Sequence, residues 1–142
     1  MKYKKLYKLA FFDKMTDCYN RNWLEENRKK FDKQEMEFAI IDLNGLKETN
    51  DKLGHEFGDK RIKNLADFLK LYGTVIRLGG DEFVVIFDKG RELQFDWQCK
   101  GNKEFSYGIC IKDEKVTFSD ALKCADERMY EMKKGEIIWR DL

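Results

Sequence analysis

The sequence predicts an α+β domain, an antiparallel-rich sheet covered by helices, and three observations carry that prediction. Residues 37–42 run four apolar side chains together and end in an acid, the pattern of a strand buried on both faces. Residues 76–87 set two short apolar runs on either side of Gly79-Gly80-Asp81-Glu82, a β-hairpin whose turn needs positive φ and carries carboxylates at its tip. Helical apolar spacing recurs over residues 20–31, 58–72 and 118–134. At 142 residues the chain is one domain's worth, so a single unit over 1–142 is expected.

In chain order, residues 1–12 mix Lys2, Lys4, Lys5 and Lys8 with Tyr3, Leu6, Tyr7, Leu9 and Ala10, a short leading helix with a basic side that docks on the domain. Residues 13–21 form a turn in which Asp13 is expected to pair with Arg21 while Asn20 caps the next helix. That helix, 20–31, buries a stripe of Trp23, Leu24, Asn27 and Phe31. Strand 37–42 leads into Asp42-Leu43-Asn44-Gly45-Leu46-Lys47-Glu48-Thr49-Asn50-Asp51 and then Gly54-His55-Glu56-Phe57-Gly58-Asp59. Helix 58–72 turns Ile62, Leu65, Ala66 and Leu69 inward and stops at Gly73.

Beyond the hairpin, residues 88–90 make a turn, and Leu93, Phe95, Trp97 and Cys99 alternate with polar residues as a strand does. On that reading they form one face of the sheet rather than a platform for stacking bases. Residues 105–111 form a further strand. Residues 118–134 form a helix begun by Thr117 or Ser119, with Ala121, Leu122, Ala125, Met129 and Met132 inward, and 136–140 a last strand.

Composition narrows the function. The 28 basic and 27 acidic side chains nearly cancel, so no polyelectrolyte signature of nucleic-acid binding is present. Cys18, Cys99, Cys110 and Cys124 stand far apart without a CxxC pair or a secretory leader, which predicts reduced thiols packed as small core residues and a cytoplasmic location. No apolar run approaches the roughly 18 residues that cross a bilayer, and a soluble protein is expected. His55, the one histidine, is expected to make a structural hydrogen bond in its turn.

The chemistry rests on acids. A strand that ends in Asp42 and lies beside the hairpin brings Asp42 and Asp81 together. Magnesium takes one or two protein carboxylates plus substrate phosphates, so this pair suits nucleotidyl transfer assisted by magnesium or manganese.

Gly79-Gly80-Asp81-Glu82-Phe83, the run from Asp42 to Asp59 and Ala125-Asp126-Glu127-Arg128-Met129-Tyr130-Glu131-Met132-Lys133 together resemble the GGDEF family, the diguanylate cyclases, which join two GTP molecules into cyclic di-GMP. The resemblance covers nearly the whole chain and implies a palm-type sheet of the nucleotidyl cyclase and ferredoxin-like kind. It implies that Asp42, the Leu43 carbonyl and Asp81 ligate metal, and that Lys47 and the backbone N–H groups of Gly45 and Leu46 face the phosphates. Asn50 and Asp59 would read the guanine edge, Lys133 would hold terminal phosphate, and Glu82 would sit near the reacting hydroxyl, with Asp81, Glu82 and Lys47 catalytic. GTP is the implied substrate and a homodimer the implied active form.

The chain also departs from the family. Asp17 stands where glycine is usual, the Gly-Arg-Asn that follows the lysine is missing, and Lys70 and Gly73 replace the Arg and Asp of the inhibitory product site. The helix usual between Phe87 and Phe105 is expected to be absent, leaving apolar sheet surface at Phe95 or Trp97 as a contact. Two other readings remain: a minimal cyclic-oligonucleotide synthase of the CRISPR-polymerase-like palm class using other nucleotides, and a catalytically inactive GTP-binding or protein-interaction domain.

Overall fold

Met36–Leu43 alternates its side chains between two cores, and the rest of the chain is arranged around that strand. Ala39, Ile41 and Leu43 enter one core while Phe38 and Ile40 enter the other, which is why residues 38–41 are apolar without interruption. The computed structural model describes residues 2–141, with 136–141 described by backbone alone.

The elements are α1 (Lys2–Phe11), β1 (Tyr19–Asn20), α2 (Arg21–Asp32), β2 (Met36–Leu43), α3 (Leu46–Leu53), α4 (His55–Lys70), β3 (Gly73–Gly79), β4 (Glu82–Phe87), α5 (Arg91–Cys99), β5 (Phe105–Lys112) and α6 (Phe118–Asp141). The strands form one mixed sheet in the order β1-β3-β4-β2-β5, antiparallel except where β1 joins β3. Helices α4 and α5 cover one face through Ile62, Leu65, Ala66, Leu69, Phe95 and Cys99. Helices α2 and α6 cover the other through Leu24, Phe31, Phe118, Ala121, Ala125 and Met129. This is the α+β, palm-like arrangement expected from the sequence.

The leading helix buries none of its own residues and is held at its end. Asn20 caps α2 through Trp23 N–H at 3.1 Å, as expected, and its amide donates to the Ala10 carbonyl at 2.9 Å. Asp17 takes a φ of 58°, the left-handed conformation that glycine adopts more easily. Asp13 accepts from the Thr16 N–H and hydroxyl, at 3.0 and 2.7 Å, but its cationic partner is Arg77 at 3.2 Å and not Arg21. The parallel register Asn20↔Arg77 brings β3 against the turn, whereas Arg21 begins α2 and donates to the Leu78 carbonyl at 3.2 Å.

Two expected strands are helical. Residues 91–99 form α5, with Glu92, Phe95 and Cys99 buried at helical spacing and Leu93 and Trp97 exposed one turn apart. The apparent alternation of Leu93, Phe95, Trp97 and Cys99 thus splits between two sides of a helix, begun where Gly90 takes a φ of 84°. The helix expected to be missing is present, and Phe95 is fully buried rather than left on an open sheet face. Residues 136–140 continue α6 instead of forming a last strand. Thr117 accepts from Asp120 N–H at the start of that helix, the cap the sequence suggested. Among the described residues no helix is long and apolar enough to cross a membrane.

Candidate functional site

The end of β2 carries Asp42 into the centre of a small acidic group. Its cross-strand neighbour in β4 is Glu82, and Leu43 donates its N–H to the Asp81 carbonyl at 3.0 Å. The Asp42 carboxylate is 14% exposed; Oδ2 meets the Lys133 ammonium at 2.5 Å, while Oδ1 is buried and has no partner among the described residues. Burial pushes the Asp42 carboxyl above the usual range and the Asp81 charge adds to this, opposed by the hydrogen bond from Lys133. Glu82 is raised as well, first by burial and then by Asp42 and Asp126, with Arg21 opposing.

The hairpin tip is held rigidly. Arg77 donates to the Gly80 carbonyl at 2.8 and 3.2 Å while its other nitrogen pairs with Asp13, so one guanidinium ties the leading turn to the tip. Gly80 takes a φ of 36°, and a Cβ built on it or on Gly79 would meet nothing within 4 Å. Space is therefore open directly before Asp81.

On the other side of Asp42 the chain turns at Gly45, φ 66°, into α3. Gly45 has no side chain to cap that helix, so its first N–H groups are left for an external acceptor. Lys47 extends into solvent. Asn50 lies against α4 where Gly58 leaves room, since a Cβ there would fall 1.8 Å from the Asn50 Oδ1, an atom buried without a partner. Asp59, half-buried, follows Gly58 in α4. His55 is exposed at the first position of α4 and, among the described residues, makes no structural hydrogen bond.

Several contributors escaped the sequence reading. Asn44, 8% exposed, accepts from the Ser106 hydroxyl at 2.9 Å and donates to the Lys103 carbonyl at 3.1 Å. Arg61 spans Thr49, the Asn44 carbonyl and Glu104 at 2.8, 2.9 and 3.2 Å, locking the turn before α3 to α4 and β5. An asparagine directly after a buried strand was the available signal for the first; nothing local marks Arg61. A groove of about 620 Å³ runs from Gly45 at the start of α3 along Glu48, Thr49, Lys52, Phe57 and Arg61, and Asp42, Asp81 and Glu82 are not among its lining residues. The site is therefore assigned by the acids and the open helix end.

Among the described residues no group of three or more His, Cys, Asp or Glu side chains forms a ready metal cage. The donor set at Asp42, the Leu43 carbonyl and Asp81 is all oxygen and includes one buried, unpartnered carboxylate oxygen. That fits magnesium, which completes its shell with water and phosphate oxygens.

Comparison with known proteins points to one family. The family description "Diguanylate cyclase, GGDEF domain" matches residues 10–96. The probable diguanylate cyclase DgcI of Escherichia coli K12 is 30% identical over 157 residues, covering 96% of this chain and 36% of that protein. The probable diguanylate cyclase DgcJ of the same strain is 34% identical over 146 residues, covering 87% and 29%. The chain thus spans about a third of the length of these relatives. Among solved structures, the coiled coil and GGDEF domain of DgcB from Caulobacter crescentus in complex with c-di-GMP superposes with a TM-score of 0.80 at 18% identity, over 94% of this chain and 86% of that one. A sensory box/GGDEF family protein from Caulobacter crescentus gives 0.69 at 25% identity over 89% and 99%.

Proposed function

Because the chain belongs to the GGDEF family, we propose that residues 1–142 form one diguanylate cyclase domain that condenses two GTP molecules into cyclic di-GMP with release of pyrophosphate. The observation that carries the reading is the buried Asp42 carboxylate, one oxygen unpartnered, between the hairpin tip at Asp81 and the uncapped start of α3.

In this reading Asp42, the Leu43 carbonyl and Asp81 hold magnesium or manganese, which when bound supplies charge neutralisation at the phosphates and the leaving pyrophosphate. The chain's own groups do the positioning. The first N–H groups of α3 at Gly45 and Leu46 receive phosphate oxygens, with Lys47 and Lys133 adding charge. Asn50 and Asp59 face the guanine edge, and a site built to satisfy that edge leaves polar groups unpaired when adenine enters. Glu82, whose carboxyl is raised first by burial and then by Asp42 and Asp126, stands near the reacting hydroxyl. Two protomers face each other, because one site binds one nucleotide and two bonds must form.

The test is incubation of the purified protein with all four nucleoside triphosphates and magnesium, followed by mass spectrometry of the products. Cyclic di-GMP formed from GTP alone is expected. A different cyclic or linear product would reassign the substrate, and none would make this an inactive binding domain.

A further inference from the structure

Lys133 has two candidate anions, Asp42 and the phosphate of the proposed substrate, and can satisfy only one at a time. The resemblance assigns it to terminal phosphate, yet its ammonium sits 2.5 Å from Oδ2 of Asp42, the acid assigned to metal. Asp42 is 14% exposed and Lys133 35%, so the pair is sheltered, unlike two solvated surface chains. Among the described residues no other side-chain cation pairs with Asp42. A carboxylate sheltered beside two further acids needs positive charge nearby, and Lys133 supplies it.

We propose, resting on the function above, that Lys133 is an exchangeable counter-ion. It holds Asp42 while no divalent ion is bound, and it passes to the terminal phosphates when such an ion takes the carboxylate. A divalent ion on Oδ1 and an ammonium on Oδ2 repel each other across one carboxylate, so the ion's arrival favours the lysine's departure. The backbone beneath it does not need to move, since Ala125 and Met129 pin α6 to one core and Met132 packs against the other. Only the flexible four-carbon stem swings, and its three rotatable donors suit a phosphate as well as a carboxylate.

The exchange couples the two ligands. Metal alone leaves Lys133 without an anion, and nucleotide alone must draw it away and leave Asp42 bare. Bound together they leave neither group unmatched. Each therefore tightens the other by the same factor, as linkage requires.

The test is Mn²⁺ binding to the nucleotide-free protein, read by electron paramagnetic resonance of the free ion, in wild type, Lys133→Met, Lys134→Met and Asp42→Asn. Lys134 pairs with Glu131 at 3.8 Å and not with Asp42, so it controls for the mere loss of one positive charge. Lys133→Met is expected to bind Mn²⁺ roughly 5-fold tighter or more than wild type, the lower end of ordinary coupling between sites, with Lys134→Met unchanged. Adding a non-hydrolysable GTP analogue should then tighten Mn²⁺ in both, since phosphate oxygens join the ion's shell, but by a larger factor in wild type than in Lys133→Met. Circular dichroism verifies that each variant is folded. Equal or weaker Mn²⁺ binding by Lys133→Met, or the same gain in Lys134→Met, would overturn the exchange and leave the proposed function standing. Mn²⁺ binding that Asp42→Asn does not weaken would overturn the metal site, and the function and the exchange with it.

Discussion

Asp81 and Glu82 are adjacent, yet substitution should have opposite consequences at the two. Asp81→Asn is nearly isosteric and removes one proposed metal ligand, so turnover should fall by about 10²–10³-fold or more while the melting temperature holds. Stopped-assay product analysis beside thermal melts checks this, and a melting temperature that collapses with activity would make Asp81 structural. Glu82 carries a charge that its surroundings oppose, with burial, Asp42 and Asp126 all raising it. A carboxyl raised in the folded state binds its proton more readily there than in the unfolded chain, so its ionisation costs stability at neutral pH. That cost fades as pH falls toward and through the folded value. Glu82→Gln should therefore raise the melting temperature at pH 7 by roughly 2–4 °C, and the gain should shrink steadily in acid. A gain independent of pH would place its cause in packing rather than charge. The acids themselves were readable in the sequence because a carboxylate ending a buried strand and a Gly-Gly-Asp-Glu tip are local patterns. The Lys133–Asp42 pair was not, since it joins positions on α6 and β2 that no local pattern relates.

Helix α5 shows how a short segment can mislead. Four apolar residues at every second position satisfy a strand template, whereas only Phe95 and Cys99 mark the helical face, because the third buried position is the charged Glu92. The tertiary setting decides: the face above α4 and β5 has room for one ring among many, and Phe95 fills it with its centroid 5.1–6.3 Å from Phe68, Tyr72, Phe87, Phe105 and Tyr107. The buried strands and the long amphipathic helices were readable because one period clearly dominated in each. If α5 is a helix with this face inward, Phe95→Ala should cost about 3–5 kcal/mol while Trp97→Ala, 81% exposed, should cost under about 1 kcal/mol. Chemical denaturation of the two variants measures both. Comparable losses at 95 and 97 would restore the alternating strand.

For the molecule as a whole, the proposed reaction raises the question of how a site for one nucleotide would make two bonds and what would then stop it. The symmetric answer is a two-fold pair, so specific activity should rise with protein concentration and level off once the dimer is saturated. The near balance of 28 basic and 27 acidic side chains does not oppose pairing. Leu93 and Trp97 of α5 are exposed. Restraint by product should be weak, because both positions of the family's inhibitory site are otherwise engaged. Lys70 donates to the Thr16 carbonyl at 2.7 Å and pairs with Asp67 at 3.7 Å, committing its ammonium to the leading turn. Gly73 admits no side chain at all: a Cβ there would lie 2.0 Å from the Ile86 carbonyl, so an aspartate requires the β3–β4 backbone to part. Added cyclic di-GMP should accordingly inhibit only in competition with GTP, raising KM at constant kcat. Initial rates across a matrix of GTP and product concentrations, repeated over a dilution series followed by light scattering, test both halves. Flat specific activity deep into the monomeric range would sink the two-fold mechanism, and a product effect on kcat would show that an inhibitory site exists elsewhere on the surface.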